Sequence, residues 1–390
     1  MTIISDLRAN LHKTINRLAS GVWYPAHTSL DCAAAGTVAS GPPPALLRTA
    51  SCFYEKGLHV DQAKKLKKRV RLPAPVVSIG NLSVGGTGKT PLAIWICNSL
   101  LKIGLRPVVL TRGYGRRIGA PGLVPSSGNT AELAGIFGDE PVMMSECLPS
   151  AQVWVGRDRA ASGNAALARG GVDVFVLDDG FQHLALERDL DIVLLDCRSP
   201  FGNGHVLPAG PLREPVSNLG RADAFVITHA AEELDAAPLK DKLQRLFPGI
   251  PVFACRHMMK QISLIKGGPA FPIDTLVGRR AVAFAGIAGP EGFFDRLRHT
   301  GIKICGSLSF PDHHRYTAGD FSKIFHCASG RGAEFIITTA KDAVRIPPPY
   351  RDALAAVQVE IDFGADREDF CALITAGLGM PARRVLPATL

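Results

Sequence analysis

The chain has 390 residues, with 44 Lys and Arg against 35 Asp and Glu, a formal net charge of +9 and a pI near 9.2. Apolar residues make up 46% and charged residues 20%, a globular composition that excludes an intrinsically disordered chain, and the length suggests two domains. Residues 1–71 hold eleven basic and four acidic side chains, so +7 of the +9 sits there. That asymmetry excludes a uniformly basic protein coating nucleic acid, and no nucleic-acid partner is expected. Nine cysteines are scattered without a C-x-x-C pair, which fits reduced thiols better than a disulfide framework or a zinc site. No secretory signal is expected. The longest uncharged N-terminal stretch, Cys32 to Leu47, is too short and too interrupted by Pro42, Pro43 and Pro44 to span a membrane.

Taken in chain order, the first marked feature is a basic run. Lys64, Lys65, Lys67, Lys68, Arg69 and Arg71 follow an apolar and aromatic stretch with Leu46, Leu47, Phe53, Tyr54 and Leu58. The pattern reads as an amphipathic or basic helix, with a solvated charge run as the alternative. After Pro75, short β-branched runs recur at 76–79, 107–110, 153–155, 172–177, 191–195 and 224–228, separated by segments of helical spacing or Gly/Pro-rich loops. This rhythm predicts an α/β fold with a doubly wound, mostly parallel sheet extending to about Ala230. Residues 231–242 are polar and read as a linker or connecting helix. Further strands at 252–254, 281–285, 303–308 and 335–338, with helices near 290–299 and 318–327, predict a second, smaller α/β domain.

The strongest chemical signal is VVSIGNLSVGGTGKT (76–90), a strand, a glycine-rich loop and then a helix, which is the setting of a phosphate-binding P-loop. Ser83, Val84, Gly85, Gly86, Thr87, Gly88, Lys89 and Thr90 form the candidate ATP-binding loop. Its backbone N–H groups turn toward an anion, Lys89 reaches the β- and γ-phosphates, and Thr90 ligates Mg²⁺. Ser83 replaces the usual first glycine, so that position needs no glycine-only conformation.

Three further segments carry candidate chemistry. The strand ending in Asp178-Asp179 is of the kind a P-loop protein uses to hold Mg²⁺; an ordinary turn is the alternative. Asp139 and Glu140 in GDEP (138–141) lie in a Gly/Pro-flanked loop, either as a source of a general base or as a solvated turn. FPDHHRY (310–316) has the only adjacent histidine pair in the chain. A metal site there lacks a second ligand cluster, leaving a base-orienting or phosphate-contacting histidine or one without a role.

Together with VVLTRGYGR (108–116), VFVLDDGFQH (174–183), DIVLLD (191–196), LPAGPLREP (207–215), FAGIAGPEGFF (284–294) and TAKDAVR (339–345), these segments resemble the tetraacyldisaccharide 4'-kinase, or lipid A 4'-kinase, family from about residue 50 to 345. The resemblance implies transfer of the ATP γ-phosphate to the 4'-hydroxyl of a tetraacylated glucosamine disaccharide 1-phosphate, with ATP and Mg²⁺ as cofactors. It implies catalytic roles for Lys89, Asp139 as general base and His313 as its partner across an interdomain cleft. Thr90, Asp178, Asp179 and Glu214 would lie around the metal, with Glu140, Arg159 and Gln182 as further contacts. The implied organisation is a membrane-associating segment at 1–71, a P-loop kinase core at 72–232 and a domain at 233–390 that closes the site. The implied partners are the lipid A disaccharide 1-phosphate precursor and the anionic surface of the inner membrane, at its cytoplasmic face, peripheral or monotopic. A P-loop assembly or switch NTPase is the rival reading, and the guanine-reading N-K-x-D order is absent: Thr339-Ala-Lys-Asp342 only approaches it.

Overall fold

The computed structural model describes residues 43–117, 119–230 and 233–379. Residues 1–42 of the predicted membrane-associating segment, the first two residues of the predicted connecting segment and residues 380–390 lie outside that description.

In chain order, helix α1 (Ala45–Lys67) precedes strand β1 (Val76–Asn81), helix α2 (Lys89–Lys102) and strands β2 (Pro107–Thr111) and β3 (Gly122–Leu123). Helices α3 (Thr130–Phe137) and α4 (Asp139–Cys147) lead to β4 (Gln152–Val155), α5 (Arg159–Arg169), β5 (Val174–Asp178), β6 (Leu190–Asp196) and β7 (Ala224–Thr228). Next come α6 (Glu233–Leu246), β8 (Val252–Ala254), β9 (Arg256–Leu264), β10 (Phe271–Pro272), β11 (Arg280–Ala285), α7 (Pro290–His299) and β12 (Lys303–Ser309). The remainder is α8 (Ala318–Gly330), β13 (Phe335–Thr339), a single helical turn (Ala340–Ala343), β14 (Leu354–Asp362) and α9 (Arg367–Gly377). Among the described residues no helix is long and apolar enough to cross a membrane.

The described chain divides into two compact units. One comprises residues 43–89, 179–256 and 363–379, the other residues 90–178 and 257–362.

In the first unit the strands run β1-β6-β7-β8, all parallel. Val252–Ala254, expected to open the second domain, instead extends this sheet beside β7, because three buried or half-buried residues complete an edge more readily than they found a new core. Phe181, Leu195, Leu212, Phe225, Ile227, Leu239 and Leu243 form the main apolar cluster here. Every residue of β1 is buried. At Gly80 a Cβ would meet the Cβ of Phe181 at 2.4 Å and its backbone N at 2.6 Å, so only glycine lets the chain around Asp179 lie against the strand that feeds the P-loop.

Helix α1 explains its own orientation. Leu47, Ser51, Tyr54, Leu58, Gln62 and Lys65 recur every three or four residues and are its inward positions. Ser51 Oγ donates to Val206 O, Tyr54 OH to Arg213 O and Gln62 Nε2 to Glu214 Oε2, so polar bonds rather than an apolar stripe seat the helix. Leu46, Phe53 and Val60 are seven residues apart and therefore share another side, where they are 80%, 70% and 55% exposed. Lys64, Lys65 and Lys67 close the last turn, favourably placed at the negative end of the helix dipole.

In the second unit, β2 pairs parallel with β4 and β5, and β3 runs antiparallel to β4. A six-stranded sheet follows the order β10-β9-β14-β13-β11-β12, with β11 to β14 paired in parallel. Successive residues of β11 serve opposite faces: Ala281, Ala283 and Ala285 join Phe293, Phe294 and Leu297 of α7, while Val282 and Phe284 join Phe321 and Ile324 of α8. Apolar cover on both faces is why the strand reads as an unbroken apolar run. Strand β9 carries a mixed polar sequence and has no such run, whereas β14 opens on the buried apolar run Leu354–Val357 and then alternates apolar and polar residues to Asp362.

Candidate active site

The P-loop occupies the first unit up to its helix. Ser83 bridges Leu212 and Val84 N donates to Pro211 O at 2.8 Å, so the loop starts as paired, extended chain and tolerates a serine where glycine is usual. Gly85 and Gly88 take positive φ values of 137° and 85°, which is where the loop does require glycine. Lys89 and Thr90 are the first residues of α2, at the positive end of its dipole.

A polar set gathers around Lys89. Its Nζ donates to Asn81 Oδ1 at 2.9 Å and lies 3.4 Å from Asp179 Oδ1. Arg213 Nη1 donates to both oxygens of Asp179 at 3.0 Å and to Gln182 Oε1 at 3.3 Å, while Gln182 Nε2 donates to Asn81 O at 3.0 Å. Burial alone would push the Asp179 carboxyl up, but Lys89 and Arg213 outweigh it and hold the group well below the usual carboxylate range. Asp179 has φ of 52°, a left-handed conformation costing roughly 1–3 kcal/mol for a non-glycine residue and therefore one the surroundings must hold in place.

Glu214 belongs to a neighbouring set. It is fully buried, and its Oε2 accepts from Gln62, Asn218 and Arg221, each at 2.8 Å. Its Oε1 is buried without a hydrogen-bond partner among the described residues, an oxygen still able to accept a donor or a hard cation. Among the described residues no group of three or more His, Cys, Asp or Glu side chains is gathered as a metal site.

The second unit places the other candidates. Asp178 is buried at the end of β5 and accepts from Thr111 Oγ1 at 3.1 Å. Arg159, also buried, donates to the backbone carbonyls of Gly156 and Arg157, which tie its guanidinium to its own turn. Asp139 Oδ2 lies 2.8 Å from His313 Nδ1, and Arg345 Nε is 3.6 Å from the same oxygen. Lys341 Nζ sits 3.5 Å from His313 Nε2 and 3.4 Å from Glu140 Oε1. The second histidine turns elsewhere: His314 Nε2 meets Asp320 Oδ2 at 3.0 Å and its ring stacks on Phe310.

One expectation is corrected. GDEP is not a loop, because Asp139 and Glu140 open helix α4, with Pro141 in its first turn, where a missing N–H costs nothing. Gly138, at φ 100°, turns the chain into that helix, and a Cβ on it would lie 2.7 Å from Tyr114 O. Gly113 is equally constrained, with a Cβ only 2.1 Å from Val155 Cγ1 and 2.7 Å from Phe137 O. Gly113 and Gly138 thus let the TRGYG loop lie against the chain that leads into α4.

Lys89, Asp179 and Gln182 come together, as do Asp139, Glu140 and His313. Asn81, Arg213, Lys341 and Arg345 join these groups without having been singled out. Arg213 stood within LPAGPLREP and Arg345 within TAKDAVR, but an isolated arginine carries no local pattern that reveals its partner.

A glycine-rich strand–loop–helix carrying Lys89, with a carboxylate–imidazole pair on a separate helix and loop, defines a P-loop phosphoryl-transfer enzyme. The sequence profile of the tetraacyldisaccharide-1-P 4'-kinase family matches residues 44–378, so the chain belongs to that family. It is 45% identical over 361 residues to the tetraacyldisaccharide 4'-kinase of Syntrophobacter fumaroxidans, covering 92% of this chain and 93% of the relative. It is 46% identical over 283 residues to that of Pelobacter propionicus, covering 72% and 76%. The crystal structure of LpxK from Aquifex aeolicus in complex with ATP superposes with a TM-score of 0.67 at 31% identity, covering 85% of this chain and 98% of that one.

Proposed function

We propose that this protein transfers the γ-phosphate of ATP to the 4'-hydroxyl of a tetraacylated glucosamine disaccharide 1-phosphate, a lipid A precursor. The observation that carries the reading is the Asp139–His313 pair at 2.8 Å. A P-loop by itself suits any nucleotide hydrolase, whereas a carboxylate backed by an imidazole suits acceptance of a proton from a sugar hydroxyl. The family membership and the ATP held by the Aquifex aeolicus relative support the same substrate pair.

In this reading the P-loop backbone from Ser83 to Thr90 cradles the phosphates. Lys89 leaves Asn81 and Asp179 to neutralise the β- and γ-oxygens, and Arg213 lies beside it to share that charge. Mg²⁺, when bound, screens the triphosphate, and the oxygen donors Thr90, Asp178, Asp179 and Glu214 are of the hard type it takes; such a site relies mostly on phosphate oxygens and water. Asp139 accepts the hydroxyl proton as in-line transfer proceeds, and His313 holds the carboxylate's orientation. Residues 72–232 supply the nucleotide machinery and residues 233–390 contribute His313.

The surface for the lipid is proposed on α1. Its exposed Leu46, Phe53 and Val60, followed by the basic run to Arg69, support peripheral docking on an anionic membrane at the cytoplasmic face of the inner membrane. Incubation with ATP, Mg²⁺ and a lipid-linked disaccharide 1-phosphate in detergent is expected to yield a 1,4'-bisphosphate and ADP in equal amounts. Phosphate release with no phosphorylated lipid would return the protein to the switch NTPases.

A further inference from the structure

Lys341 and Arg345 stand beside the Asp139–His313 pair without a role in the chemistry proposed above, and their segment, Thr339 to Arg345, contains the most deeply buried ion pair near that dyad. Asp342 is fully buried and Arg345 nearly so, joined Oδ1 to Nη2 at 2.5 Å. A buried ion pair is weak evidence for stability, because desolvating both charges offsets most of their attraction, so its other contacts indicate what it is for.

Those contacts converge on the backbone around His313. Gly286 N donates to Asp342 Oδ1 at 3.0 Å. Gly286 O accepts from Arg345 Nη2 at 3.0 Å and from His313 N at 3.1 Å. Arg345 Nη1 donates to His314 O at 3.2 Å, so one arm of the guanidinium fork holds the carbonyl after His313 and the other holds the Gly286 carbonyl that accepts the His313 N–H. Tyr316 OH and Thr339 Oγ1 donate to the two oxygens of Asp342 at 2.7 and 2.6 Å. Gly286 has no room for a side chain, since a Cβ would meet Tyr316 Oη at 3.0 Å and Asp342 Oδ1 at 3.1 Å.

What this clamp holds is a strained residue. His313 has φ of 58°, a left-handed conformation that a histidine keeps only when its surroundings impose it. The remaining guanidinium nitrogen, Arg345 Nε, is buried, has no hydrogen-bond partner among the described residues and lies 3.6 Å from the Asp139 oxygen that His313 contacts.

We infer that Asp342 and Arg345 are positioning residues for the Asp139–His313 dyad: Arg345, oriented by Asp342, fixes the strained backbone of His313 and sets its cation against the Asp139 carboxylate. The inference rests on the reading of Asp139 and His313 as the hydroxyl-activating pair. Lysine keeps the charge but cannot span both carbonyls, so Arg345→Lys separates the fork from the cation.

The test is a double-mutant cycle with full-length protein in the detergent assay, using Arg345→Lys, His313→Ala and their combination. Arg345→Lys is expected to lower kcat about 10- to 100-fold with KM for ATP and for the lipid within about threefold. In the His313→Ala background the same change is expected to cost less than about threefold. If Arg345→Lys lacks a cooperative melting transition, Tyr316→Phe, which removes one donor to Asp342, takes its place in the cycle with an expected loss of about three- to tenfold. Unchanged kcat in a folded variant, or an equal loss in both backgrounds, overturns the inference. Wild-type turnover by His313→Ala alone overturns the dyad reading itself.

Discussion

Asp139→Asn isolates the charge of the proposed base. Asparagine keeps the shape and a helix-starting residue at the first position of α4, and it removes only the negative charge that meets His313 Nδ1 at 2.8 Å. A positioned general base contributes about 10²- to 10⁴-fold, or about 2.7 to 5.4 kcal/mol of transition-state free energy at 1.36 kcal/mol per decade. The structural cost is smaller. A carboxylate in a helix's first turn is worth about 0.3–1 kcal/mol, and Arg345 keeps its partner in Asp342. The kinetic loss should therefore far exceed the stability loss. Turnover measured as labelled bisphosphate product should fall at least 100-fold, while nucleotide binding, followed by titration of a fluorescent ATP analogue, stays within about threefold. Combination with His313→Ala should add less than the product of the single effects. Turnover within threefold of wild type, in a protein that binds ATP, would refute the assignment of Asp139.

Other outcomes follow from separate parts of the molecule. Lys89→Ala removes the cation held between Asn81 and Asp179. It should lower kcat/KM for ATP by about 10²- to 10³-fold, and retained nucleotide affinity would show that Lys89 does not face the phosphates. The Asp320 carboxyl is held down at about 2, chiefly by its bond to His314 and then by those from Thr317, which caps α8. Because the folded value lies below the ordinary one near 3.9, its stabilisation is present above about pH 4 and disappears as the pH falls toward 2. Urea midpoints should thus decline less between pH 5 and pH 2.5 for Asp320→Asn than for wild type, and parallel curves would contradict this. Replacing Leu46, Phe53 and Val60 together by serine should weaken cosedimentation with anionic vesicles and leave the melting temperature within about 2 °C, since all three are already exposed. Unchanged vesicle binding would remove α1 as the docking surface.

The P-loop was legible because its signal is local. A buried β-branched strand, glycines at the turning positions and a lysine at a helix start are all contiguous, and each is required by backbone geometry or by an anion. The strands with unbroken apolar runs were legible for a similar reason, since burial on both faces removes any polar alternation. Residues 256–264 were not, because their mixed sequence matches no simple period, and residues 354–362 were not singled out although their apolar run and the alternation from Val357 to Asp362 carry a strand's pattern. GDEP misled because its flanking glycine and proline signal a turn and a helix start equally well.

The excess positive charge of the first 71 residues, the phosphate-binding loop and the parallel α/β character were determined by the sequence alone, because composition, spacing and periodicity act over a few neighbouring residues. Only the tertiary structure decided that Arg213 faces Asp179 across 34 positions, that Glu214 is buried beneath α1, and that Arg345 grips the chain beside His313 and reaches Asp139 from 206 positions away. Those partnerships depend on which strand ends and loops the sheets bring together. A charged side chain carries no record of its distant partner until packing removes the water between them.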